Sequence, residues 1–159
     1  MKKTLLIIAV LLITSSAAFS QEFKFGAGAA IGSKAGISDS GTKMNFGLHA
    51  RGVYGISDQF ALTGGFTYFL PSKVDPVKLT LMAFNADAMY YFMDDNDMKI
   101  YGLGGMNIAF AKVSGGGFEA STNDVSFELG AGVEFGKFFV ELKYDGNGEQ
   151  ILGFVGMYF

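Results

Sequence analysis

Beyond Gln21, apolar side chains recur at every second position, and clusters of turn residues interrupt the alternation at fairly even intervals. Period two marks a half-buried strand, because successive side chains of a strand point to opposite faces. Eight segments follow it: 22–32, 44–55, 60–70, 78–92, 99–111, 125–135, 138–145 and 150–159. The connections Ser57-Asp58-Gln59, Asp94-Asp95-Asn96-Asp97 and Gly136-Lys137 are short, while 33–43, 71–77 and 112–124 are longer and Gly146-Asn147-Gly148-Glu149 is intermediate. An even strand count with alternating short and long connections predicts an all-β fold, an eight-stranded antiparallel up-and-down barrel with both termini at the short-turn rim.

The parity that carries charge identifies the solvent on each side. In 125–135 one face is Phe127, Leu129, Ala131, Val133 and Phe135, and the other is Ser126, Glu128, Gly130, Gly132 and Glu134. In 138–145, Phe138, Val140, Leu142 and Tyr144 oppose Glu141, Lys143 and Asp145; in 44–55, Phe46, Leu48, Ala50 and Tyr54 oppose Asn45, Gly47, His49 and Arg51. The apolar faces end in aromatics: Phe25, Tyr54, Phe60, Tyr90, Phe135, Phe138 and Phe159 toward the short-turn rim, and Phe46, Tyr68, Phe110, Phe127 and Tyr144 toward the other. Two aromatic belts around an aliphatic band are what two membrane interfaces select, so the barrel is expected to be transmembrane with its apolar face outward.

Glycine concentrates on the opposite parity, at Gly26, Gly28, Gly32, Gly47, Gly65, Gly130, Gly132 and Gly156. An eight-stranded barrel encloses room for side chains only, so small residues must alternate with large ones and the lumen is expected to be filled. The mid-strand ionisable residues of this parity are Lys24, Arg51 and Lys143 against Asp87, Glu128 and Glu141. Buried charges persist when paired, so these six are expected to form a lumen ionic network, with Asn45, Asn85 and Asn107 completing its hydrogen bonds. A structural plug is expected in preference to a gate or proton path.

Composition narrows the remaining choices. The chain of 159 residues suits one domain, and its 23 Gly, 17 Phe and 7 Tyr against 2 Pro and no Trp favour strands over long helices. A net charge of -3 lacks the basic footprint of a nucleic-acid binder, so no nucleic-acid partner is expected. Absence of cysteine removes disulfides, thiolate metal sites and a lipid-modified cysteine. Residues 1–20, MKKTLLIIAVLLITSSAAFS, combine Lys2 and Lys3, an apolar run from Leu5 to Ile13 and a small-residue end, the pattern of a secretory signal peptide cleaved after Ser20. The barrel domain is then 21–159. Without Lys2 and Lys3, 10 of the 12 basic residues remain against 15 acidic ones, so the mature charge is near -5.

The C-terminus, Ile151-Leu152-Gly153-Phe154-Val155-Gly156-Met157-Tyr158-Phe159, ends in phenylalanine with apolar residues at alternate positions. With the glycine-and-aromatic stretches Tyr101-Gly102-Leu103-Gly104-Gly105-Met106-Asn107 and Leu129-Gly130-Ala131-Gly132-Val133-Glu134-Phe135, it resembles the small outer-membrane β-barrel family of the OmpX type and the OmpA-type membrane domain. The resemblance covers nearly all of the mature chain. It implies residence in the outer membrane, contact with outer-membrane lipid, and a terminal-strand signal, Val155, Met157 and Phe159, presented to the barrel assembly machinery. The resemblance to the OmpA type does not extend to a periplasmic peptidoglycan-binding domain, so a cell-wall tether is not among the expected roles.

Candidate chemistry adds little. In a small lipid A deacylase barrel the resemblance would require a lipid-facing histidine with a serine two residues on; the sole histidine, His49, is followed by Ala50 and Arg51 and falls on the inner parity. Asp94, Asp95, Asn96 and Asp97 offer hard oxygen ligands but lack the EF-hand spacing and are common turn residues. Ser114-Gly115-Gly116-Gly117 has no phosphate-loop lysine and reads as a mobile surface loop. No cofactor, metal or catalytic residue is implied. The expected role is structural or surface-interacting, in adhesion or envelope integrity, with a protein or cell-surface partner met by the long loops; the alternative is a narrow porin-like channel or transporter for small solutes.

Overall fold

The computed structural model describes residues 23–95 and 97–159, so the signal peptide expected at 1–20 and Asn96 of the acidic turn lie outside the described residues. Eight strands are present: β1 (Phe23–Ser38), β2 (Gly41–Gly55), β3 (Phe60–Val74), β4 (Val77–Asp94), β5 (Met98–Gly115), β6 (Phe118–Phe135), β7 (Phe138–Asp145) and β8 (Gln150–Tyr158). Each pairs antiparallel with its chain neighbours and β8 returns to β1, closing the barrel.

Alternation sorts the side chains as membrane burial requires. Phe127 and Leu129 are 75% and 71% exposed, while Glu128 between them is 5% exposed and Glu141 on β7 is 1% exposed. The expected belt residues pair across strands on the outer face, as in Phe60↔Tyr90 and Phe135↔Phe138. Inside, Phe69, Met89, Tyr101, Leu103, Phe139, Leu152 and Phe154 pack with the charged residues.

The register explains how so narrow a lumen holds long side chains: large inner residues face glycine on a neighbouring strand. Arg51 lies between Gly26 and Gly65, Asp87 opposite Gly105, Lys143 opposite Gly130, Glu141 opposite Gly132, and Phe139 opposite Gly156. A Cβ on Gly132 would fall on the Tyr101 ring and hydroxyl, whereas one on lipid-facing Gly64 meets only the Asn85 carbonyl oxygen, at 3.8 Å. Gly132→Ala is therefore expected to cost about 1–3 kcal/mol through overpacking. Gly64→Ala is the control with little effect, and urea unfolding of both variants in phospholipid vesicles makes the comparison.

Three expected long loops prove to be mostly strand. Pairing continues from Gly36↔Lys43 to Ser38↔Gly41, from Ser72↔Leu79 to Val74↔Val77, and from Lys112↔Ser121 to Gly115↔Phe118. Apolar alternation stops where neither face meets acyl chains or packed lumen, but backbone groups keep their cross-strand partners, so the side-chain pattern underestimates strand length. The expected mobile glycine loop is a tight turn: Gly116 and Gly117 have φ of +58° and +81°, the left-handed conformation that a two-residue type I′ hairpin demands. β7 and β8 have only 8 and 9 residues. The wall is consequently tall over β1 to β6 and low at β7 and β8.

Candidate functional site

Period two on β6 and β7 aims Glu128, Glu134, Glu141, Lys143 and Asp145 into the lumen, and the glycines opposite them leave the space. Lys143 Nζ lies 2.7 Å from Asp87 Oδ2, 2.9 Å from Glu128 Oε1 and 3.5 Å from Glu141 Oε1. Arg51 Nη1 donates to Glu141 Oε2 at 2.9 Å, and the Tyr101 hydroxyl donates to the same oxygen at 2.8 Å. Glu141 thus bridges the two cations. Arg51 Nη2 also donates to Thr63 Oγ1 at 3.3 Å, and the Arg51 guanidinium lies 4.9 Å from the centre of the Phe139 ring. Asn85 donates to Asp87 Oδ2 at 2.7 Å.

Five of the six residues expected in the network therefore meet. Lys24 is the exception: its Nζ is 3.9 Å from Glu134 Oε2, whose other oxygen accepts hydrogen bonds from Tyr91 and Tyr158 at 3.3 and 3.0 Å. Lys24 is the second residue of β1, at the short-turn rim, where it lies beside Glu134 near the end of β6. The expected charge balance also changes, because Glu134 and Asp145 are buried as well. Among the described residues the buried Lys and Arg side chains, Arg51 and Lys143, face five buried carboxylates, Asp87, Glu128, Glu134, Glu141 and Asp145, with Lys24 and Lys99 nearer the rim, so acids outnumber bases inside. Both omitted acids continue the same alternation. Treating them as strand ends hid them, as it hid Tyr91 and Tyr158.

The asparagines divide as well. Asn107 donates to Asp145 at 2.9 Å, but Asn45 donates to the backbone oxygens of Ala35 and Leu70, at 3.3 and 2.6 Å, outside the ionic network. Asn45 pairs with Gly32 just below the β1 bulge between Gly32 and Gly36, near the mouth, where it ties the β1–β2 and β3–β4 hairpins together. His49 Nδ1 shares a 2.9 Å hydrogen bond with Thr67 Oγ1, and its ring packs 4.5 Å from that of Phe154. In the acidic turn, Asp95 and Met98 exchange backbone hydrogen bonds and Lys99 pairs with Asp94 at 2.9 Å.

Residues 6–152 match the outer membrane protein beta-barrel domain. The chain belongs to that family. For an outer-membrane barrel, the exposed apolar band is the lipid contact and the ionic cluster is the lumen filling. No curated protein matches the chain in sequence. Among solved structures, Neisserial surface protein A (NspA) is similar at 18% identity and a TM-score of 0.66, covering 88% of this chain and 97% of its own. The N-terminal β-barrel domain of Pseudomonas aeruginosa OprF gives 17% identity and a TM-score of 0.60 over 86% and 97%. Ail, the attachment invasion locus protein of Yersinia pestis, gives 19% and 0.58 over 87% and 95%. At these identities the likeness is one of fold. In this outer-membrane barrel Val155, Met157 and Phe159 all project outward from β8, 53%, 40% and 76% exposed, while Leu152, Phe154 and Tyr158 point inward.

Proposed function

We propose that this outer-membrane barrel is a surface-interaction protein: a membrane-anchored scaffold with a plugged lumen that offers its raised hairpins to a protein or cell-surface partner. The observation that carries the reading is the tall wall. β6 pairs with β5 along Phe118–Phe135 but with β7 only from Glu128 onward, so its upper part has no strand on one side. Such an edge presents rows of backbone donors and acceptors that an extended segment of a partner can pair with. Ail, which shares the fold, has been crystallised with the heparin analogue sucrose octasulfate, in keeping with ligand contact by barrels of this shape.

On this reading residues 1–20 are removed after Ser20 during export, and the outward Val155, Met157 and Phe159 form the strand signal taken up by the assembly machinery. Shortening the β3–β4 and β5–β6 hairpins by excising 71–77 and 112–124 and rejoining the strands through two-residue turns is expected to abolish adhesion of expressing cells. The barrel itself should persist as a species whose gel mobility changes on boiling; unchanged adhesion counts against the proposal. The plug is tested in a planar bilayer, where no sustained single-channel conductance is expected. Conductance that is lost when Arg51 or Glu128 is replaced would instead support the narrow-channel alternative.

A further inference from the structure

We infer that Lys73, Lys78 and Lys112 form a binding site for the phosphate groups of an outer-leaflet lipid, at the outward face of the β3–β4–β5 wall. The register assembles them: Lys73 faces Lys78 across β3 and β4, and Thr80, two residues along from Lys78, faces Lys112 across β4 and β5. On β4 and β5 these lysines share the parity of the lipid-facing Met82, Phe84 and Phe110, each of them exposed. Three ammonium groups from three adjacent strands thus project to one side.

Their height matches a headgroup layer. Tyr68, Met82 and Phe110 form one cross-strand row at the upper aromatic belt. Lys112 lies two residues beyond Phe110, and Lys78 four beyond Met82, or about 7 and 13 Å along their strands. Hydroxyls complete the surface: Thr80, Lys112 and Ser121 lie in one row, and Lys78, Ser114 and Glu119 in the next.

The charges call for an anion. Like charges directly opposite on paired strands are destabilising, yet among the described residues neither Lys73 nor Lys78 is paired with a carboxylate within 4.0 Å, Asp75 of the intervening turn included. Lys112 pairs with Glu119 at 2.8 Å, but both side chains are more than half exposed, 53% and 65%, so the pair is weak and screened. A phosphate held among the three lysines relieves the Lys73–Lys78 repulsion, while its acyl chains lie along Met82 and Phe84 below. The other cations of this rim are differently disposed: Lys34 is 3.6 Å from Glu149, and Lys43 faces Gly36 on the hairpin of β1 and β2. The inference requires the membrane orientation of the wall, not the surface contact proposed above.

The test uses the full mature barrel in phosphatidylcholine vesicles containing trace fluorescent lipid A, with energy transfer from a dye at Asn123→Cys, which faces Phe110 outside the lysine rows, reporting retention near the wall. Lys73→Gln/Lys78→Gln/Lys112→Gln is expected to lower retention at least tenfold, on the basis of about fivefold per lysine at an anionic lipid surface. Lys78→Gln alone should give about a fivefold loss should the triple variant fail to refold. Lys34→Gln/Lys43→Gln should leave retention unchanged, and so should millimolar inorganic phosphate, which separates a lipid-borne from a free phosphate. Equal retention of dephosphorylated lipid A, or no loss in the lysine variants, overturns the inference. Displacement by a soluble sulfated polysaccharide at equal charge concentration overturns it as well, by assigning the patch to a polysaccharide.

Discussion

Lys143→Met is expected to destabilise the folded barrel by about 3–5 kcal/mol, the cost of stripping the counter-charge from a buried ionic cluster. Methionine keeps most of the apolar stem and loses the ammonium, which lies 5.5 Å from the centre of the Phe154 ring, so the loss reports chiefly on charge and not on a cavity. Asp87, Glu128 and Glu141 converge on the Lys143 ammonium within 3.5 Å, and all three are buried. Arg51 still neutralises Glu141, which leaves Asp87 and Glu128 facing one another. Adding Glu128→Gln should therefore restore part of the loss, a coupling that a double-mutant cycle isolates. Urea unfolding in vesicles, followed by the boiled and unboiled gel mobilities, measures both. Independent, additive effects of the two substitutions would mean that the lumen is not held together by its charges.

Leu142→Arg carries the second-largest expected effect and tests the orientation on which everything else depends. Leu142 is 60% exposed, and an exposed leucine on a water-facing surface tolerates arginine within about 0.5 kcal/mol. In this barrel it faces Ala131 across β6 and β7, between the belts marked by Tyr144 at one end and Phe138 at the other. At that depth an arginine meets hydrocarbon and should cost about 2–4 kcal/mol. Ile56→Arg, in the short turn beyond the lower belt, is expected to cost about 0–1 kcal/mol by the same depth dependence. A negligible effect at both positions in vesicles would place the apolar face in water.

The raised hairpins show where a local pattern stops being informative. Side-chain alternation records which face meets lipid and which meets the lumen, so it fades above the membrane even though β5 and β6 continue to pair as far as Gly115↔Phe118. Glu134 and Asp145 show the converse. Their parity was readable, but only the closed barrel reveals that the rim positions they occupy are roofed by Tyr91, Tyr158 and Asn107.

Amino-acid order by itself determined eight strands, the side of each that faces lipid, and the residues that enter the lumen. Those properties depend on steps of two residues along one strand and need no knowledge of the others. Partnership inside the lumen was decided by tertiary structure: Arg51 meets Glu141 across 90 residues and Lys143 meets Asp87 across 56, while Lys24 goes to Glu134 and Asn45 to the mouth. Each such distance is set by the summed registers and stagger of the strands around a closed barrel. A single strand's alternation fixes direction and leaves height undetermined, which is why five members of the ionic cluster were legible while Lys24's separate place, the burial of Glu134 and Asp145, and the pairings were not.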